Sequence, residues 1–108
     1  MALFKPSEAV VPGALPGDNI VVTIGGELEL TNDEANNFVA APNVTEFLTR
    51  LLTAAGVAPQ IVIPATVAMQ AARFQIEIMN RAGGNNGVRV IFLLTGGGPI
   101  VLPNAPII

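Results

Sequence analysis

The alternation of apolar and polar positions changes rhythm several times along the chain. Val44, Phe47, Leu48, Leu51, Leu52 and Ala55 recur at i, i+3, i+4, i+7, i+8 and i+11, the spacing of one helical stripe. Asn43 stands before them as an N-cap, and Gly56 follows where a C′ glycine ends a helix. Glu46 and Arg50 form an i,i+4 pair in the favourable orientation, worth a few tenths of a kcal/mol. Asn43-Val44-Thr45 also spells a glycosylation sequon, which the cap explains equally well. A second start signal precedes it. Thr31 and Glu34 have capping-box spacing, and Ala35, Phe38 and Val39 follow at helical intervals, which predicts a short helix over 32–40.

Period two marks other stretches. Asn19–Ile24 is rich in β-branched residues, and Glu27-Leu28-Glu29-Leu30 alternates, so two strands joined by a turn at Gly25-Gly26 are expected. Gln60–Ile63 reads as a short strand cut by Pro64. Val88–Leu94 is apolar at nearly every position and is expected as the central strand of a sheet, with 99–102 returning beside it after a turn over 95–99. Residues 65–82 are ambiguous. As a helix, Thr66, Gln70, Arg73, Glu77, Asn80 and Arg81 gather on one narrow polar stripe, and the rest of the girth is apolar except Gln75. The rival is a hairpin pairing 73–78 with 88–94 across Gly83–Gly87. The helix accounts for more of the residues and suits their propensities better.

The two ends resemble each other. Pro6, Pro12 and Pro16 punctuate the first nineteen residues, and Pro99, Pro103 and Pro106 the last twelve, with apolar residues between. Both read as extended arms that dock, either on their own subunit or on a neighbour. The expected organisation is an extended arm over 1–18, a single α+β domain over 19–102 and a C-terminal arm over 103–108. The domain would be a small, mostly antiparallel sheet packed on two or three helices. An all-β sandwich with one helix is the alternative.

Composition sharpens this picture. In 108 residues, 51% are hydrophobic and only 12% charged, about half the charged fraction of an average globular domain. So few charges leave part of the apolar excess for a partner. The net charge is −3 and the five cations are scattered, which argues against nucleic acid. The start of the chain does not read as a cleaved signal, and no unbroken apolar stretch is long enough for a spanning helix. A cytoplasmic protein, or one exported without a cleaved signal, is therefore expected.

Catalytic chemistry is thinly supplied. There is no His, Cys, Tyr or Trp, which removes the commonest general base and the thiolate nucleophile. Glu27 with Glu29, and Asp33 with Glu34, read as a solvated strand face and a helix first turn. Asp33, Glu34, Asn36 and Asn37 lack the spacing of a calcium loop. The glycine clusters lie beside strand signals with no lysine after position 5, so they are turn glycines rather than a phosphate cradle. No cofactor, metal or catalytic residue is expected.

The leading expectation is a non-enzymatic structural protein that self-assembles into a homo-oligomer, filament or layer. Val10, Val11, Leu15, Ile100, Val101, Leu102, Ile107 and Ile108 are the candidate interface residues. The alternatives are a small module that binds one foreign protein through the apolar 90–108 surface, and a membrane-active protein or toxin. A membrane role is disfavoured by the absence of Trp and Tyr and of clustered cations.

Overall fold

The computed structural model describes residues 2–94 and 98–104. Its fold is α+β. Four strands form one antiparallel sheet in the order β1-β2-β3-β4: β1 is Leu3–Pro12, β2 Asn19–Leu30, β3 Val88–Leu93 and β4 Ile100–Pro103. Four helices lie between β2 and β3: α1 Asn32–Ala40, α2 Val44–Ala54, α3 Pro59–Ala71 and α4 Arg73–Ala82.

The helix starts follow local chemistry. The Thr31 hydroxyl accepts from the Glu34 N–H at 3.2 Å, and Glu34 accepts from the Thr31 N–H at 3.0 Å, closing the capping box. Asn43 accepts from the Glu46 N–H at 3.1 Å. Gly56 takes φ +81° just beyond α2, a conformation that costs glycine nothing.

All helices cover one face of the sheet. Leu28, Leu30, Val88, Val90, Phe92 and Val101 meet Phe38, Leu48, Leu52, Ile61, Ala65, Met69, Ala72 and Ile76 in one buried cluster. Asn80, only 2% exposed, fastens the far side. Its Nδ2 donates to Asn32 Oδ1 at 2.9 Å, and its Oδ1 accepts from the Gly87 N–H at 2.9 Å. One amide thus ties α4 to α1 and to the entrance of β3.

Several expectations are corrected. Gly25-Gly26 is not a turn, and β2 runs through both residues. Neither glycine has a positive φ. Gly26 lies under the Phe4 ring, which crosses β2 to stack on Phe92 with centroids 6.2 Å apart. A Cβ on Gly25 would strike the Phe92 backbone carbonyl. Close approach, not turning, is what these glycines serve.

Gln60–Ile63 is helical, not a strand. Pro59 is preorganised for the first turn of α3, and Pro64 is carried inside the helix. Ile61, Ala65, Met69 and Ala72 form the buried stripe on both sides of that proline. The expected helix over 65–82 is two helices that meet at Ala72. There the N–H reaches both Ala68 O and Met69 O, a tightened last turn. The rival hairpin is absent, and Gly83–Gly87 instead joins α4 to β3. Strand β3 is interior but not apolar-packed on both faces, because Arg89 and Ile91 are half-buried and Leu93 is exposed.

The proline-punctuated start is extended, as expected, and it pairs with its own chain as β1. Pro6 and Pro12 are tolerated there because β1 is an outer strand. The expected turn over 95–99 lies partly outside the described residues.

Candidate assembly surface

The sheet is closed at one end only. Strand β3 pairs with β2 from Leu30 to Gly25, and the last link is the Leu94 N–H to Ile24 O at 2.8 Å. Beyond that point, among the described residues, β1 and β2 continue without a third strand. A bulge marks the transition: Ser7 and Glu8 are adjacent on β1, but their partners are Gly25 and Thr23, which leaves Ile24 extra on β2. Past the bulge, Glu8–Pro12 pairs with Asn19–Thr23 in a two-stranded ribbon about 17 Å long. Its tip is held by the Gly13 N–H to Asp18 O bond at 2.8 Å and the Asp18 N–H to Leu15 O bond at 3.1 Å.

The ribbon contributes nothing to the core: among the described residues, no core member comes from positions 5–27. It is nonetheless apolar on both faces. Cross-strand partners share a face, so Val10 and Val21 stand together on one side. Ala9, Val11, Ile20 and Val22 stand on the other. Val10 is 65% exposed, Val21 59% and Leu15, at the tip, 68%. The ribbon carries one charged side chain on its strands, Glu8, and one at its tip, Asp18.

A second apolar area lies on the sheet face away from the helices. Register aligns Leu3, Glu29, Arg89 and Leu102 in one row, and Lys5, Glu27, Ile91 and Ile100 in the next. Arg89 Nη1 reaches Glu27 Oε1 at 3.4 Å. The middle of this face is therefore charged, through Glu27, Glu29 and Arg89, whereas Ile91, Leu93, Ile100 and Leu102 make the β3–β4 side mostly apolar. A third area lies on the outer side of α3 and α4, where Ile63, Val67, Phe74 and Ile78 are exposed.

The candidate interface residues are thus scattered. Val10, Val11 and Leu15 belong to the ribbon. Ile100 and Leu102 belong to the open sheet face. Val101 points the other way on β4 and is 7% exposed in the chain's own core. Ile107 and Ile108 lie outside the described residues. Val21, Ile20 and Val22 were missed, although they form the β-branched run of Asn19–Ile24. Sequence pattern showed a strand there but not that its outer half lacks a neighbour.

Polar groups on the helical side are mostly engaged internally. The Arg73 guanidinium donates to Val39 O at the end of α1, with Nε at 3.1 Å. Gln70 Nε2 donates to Thr45 Oγ1 at 3.0 Å across the mouth of an α2–α3 cleft of about 260 Å3. The buried Thr66 hydroxyl lines that cleft and makes no hydrogen bond. Among the described residues, no three acidic side chains converge as a cation site would require, and no helix is long and apolar enough to cross a membrane.

No protein-family model matches the chain, and no curated protein or solved structure matches it either.

Proposed function

We propose that the chain is a non-enzymatic structural subunit that associates with copies of itself, with the β-ribbon as its principal contact. The observation that carries this reading is the ribbon: residues 8–12 and 19–23 pair as strands and project past the last strand that could brace them. An isolated two-stranded ribbon is marginal in water. This one exposes valines and isoleucine where a free hairpin would carry polar side chains. Each such side chain gains roughly 1.5–3 kcal/mol on full burial, so a few of them, covered, would offset the cost of holding the ribbon out. Low charge across the chain supports the same reading.

A second reading has one observation in its favour. The cluster of Ile91, Leu93, Ile100 and Leu102 on the open sheet face suits a module that holds a single foreign protein.

Sedimentation equilibrium of the full chain separates the two. Dimers or larger species at micromolar concentration support self-assembly. A chain that stays monomeric at high micromolar concentration overturns it and favours the binding module.

A further inference from the structure

The sheet's free edges are not equally protected. The outer edge of β1 carries Pro6 and Pro12, together with Lys5 and Glu8. The outer edge of β4 is four residues long and ends in Pro103. Short strands, prolines and charges are the usual ways a sheet avoids pairing with another chain. The outer half of β2 has none of them. From Asn19 to Thr23 one side is paired to β1, and the other has no partner among the described residues, because β3 ends opposite Gly25. The five residues Asn-Ile-Val-Val-Thr contain no proline, glycine or charge.

From this asymmetry we infer that the Asn19–Thr23 edge is the site where two copies join, by antiparallel β2–β2 pairing across a two-fold axis at Val21. This deepens the self-assembly reading and rests on it. The register follows from strand geometry. Facing residues in an antiparallel pair are either both hydrogen-bonded or both not. A strand paired with its own copy must therefore have its two-fold on a residue, not between residues. Only centring on Val21 uses the whole bare edge: Val21 meets Val21 of the partner subunit, Ile20 meets Val22 of the partner subunit, and Asn19 meets Thr23 of the partner subunit. No like charges face each other, and every pair suits a strand. The same operation on β1, centred on Ala9, would set Pro6 opposite Pro12, where the ladder lacks donors.

The joined ribbons make a four-stranded sheet in the order β1-β2-β2-β1. The partner strand occupies the place that β3 vacates beyond Gly25. The partner's β3 pairs with the inner half of its own β2, level with the ribbon tip of the first subunit and beyond it. Ala9, Val11, Ile20 and Val22 of the two copies then line up as one continuous apolar face.

Cysteine cross-linking of the full chain tests this directly, because the chain has no cysteine of its own. V21C places two thiols at the axis, with Cα atoms about 4.5–5.5 Å apart, within disulfide range. V10C lies on the same ribbon face, paired with Val21, but is three strand spacings from its mate, about 14 Å, which is out of reach. Both positions are exposed in the subunit, so neither thiol disturbs the core. The expected result is a covalent dimer from V21C under mild oxidation and its loss in V10C. Sedimentation of the unmodified chain is read in parallel. If the chain associates but V10C or L102C cross-links in preference to V21C, the β2 edge is not the interface, although self-assembly stands. If the chain is monomeric and V21C does not cross-link, both readings fall. If it becomes capped only when an extended foreign peptide is supplied, the occupant is not a second copy.

Discussion

Asn80 shows how much one side chain carries in this fold. It is a polar residue on a helix whose neighbours suggested a solvated stripe, yet it is buried and both ends of its amide are used. Replacing it with alanine strands the Gly87 N–H and leaves Asn32 Oδ1 with only its bond from Asn36 Nδ2. The Asn80→Ala chain is expected to lose about 3 kcal/mol of stability, read as a lower urea midpoint at unchanged slope. A loss under about 0.5 kcal/mol, the range of ordinary surface substitutions, would mean that the turn is held by its left-handed residues alone. Those are Gly84, Asn85 and Gly87, with φ of +76°, +62° and +88°. Nothing in the 3.6-residue pattern separates Asn80 from Gln70 or Glu77. Its burial depends on α1, forty-odd residues earlier in the chain, so it was not legible locally. Arg73 is a similar case: its partner, the Val39 carbonyl, is a long-range one.

At the scale of elements, legibility followed the range of the deciding interaction. Helices α1 and α2 could be read because their caps and stripes are complete within about fifteen residues. Strand β2 could be read as strand but not as continuous, because the demand on Gly25 and Gly26 comes from Phe92 and Phe4. Helix α3 hid behind Pro64. Its β-branched Ile61-Val62-Ile63 favours a strand by propensity, and burial of Ile61 against the sheet overrides that preference. The glycine argument can be tested by a double-mutant cycle. Gly26→Val should cost about 2–3 kcal/mol by displacing the Phe4 ring from its stack on Phe92. In a Phe4→Ala background the same substitution should cost much less. Equal costs in both backgrounds would show that the valine collides with something other than the ring.

The whole molecule is longer than its size requires. Its radius of gyration is 15.1 Å and its extents are 50 × 35 × 24 Å, whereas a compact chain of this length has a radius near 13 Å. The ribbon is the visible projection, and it can be removed on paper without touching the core. Replacing residues 8–24 with Asn-Gly makes Ser7 and Gly25 the flanks of a two-residue hairpin turn. That variant is expected to keep a cooperative melt and to sediment as a monomer. An assembled variant would shift the interface to the open sheet face or to the α3–α4 side. That the N-terminal region is extended was readable from apolar residues between prolines. Its form was not, because a proline reads as a break until the strand carrying it is known to be an outer one. The division of Ile100, Val101 and Leu102 between surface and core was equally hidden, since alternation along four residues does not say which face is wet.

The late position of β3 also has a consequence in time. Strands β1 and β2 emerge first and pair through local contacts, whereas β3 follows only after residues 31–87 have been made. Closing so large a loop is slow compared with forming a hairpin. A nascent or refolding chain therefore passes through a stage in which all of β2 is an open template, including Gly25–Leu30. Arrival of β3 later withdraws that inner half. The bulge at Ile24 then separates the braced part of the strand from the part paired to β1 alone. Wrong pairings between chains have their best chance before that boundary is drawn, so crowding during synthesis, rather than the finished fold, is the greater hazard for this protein.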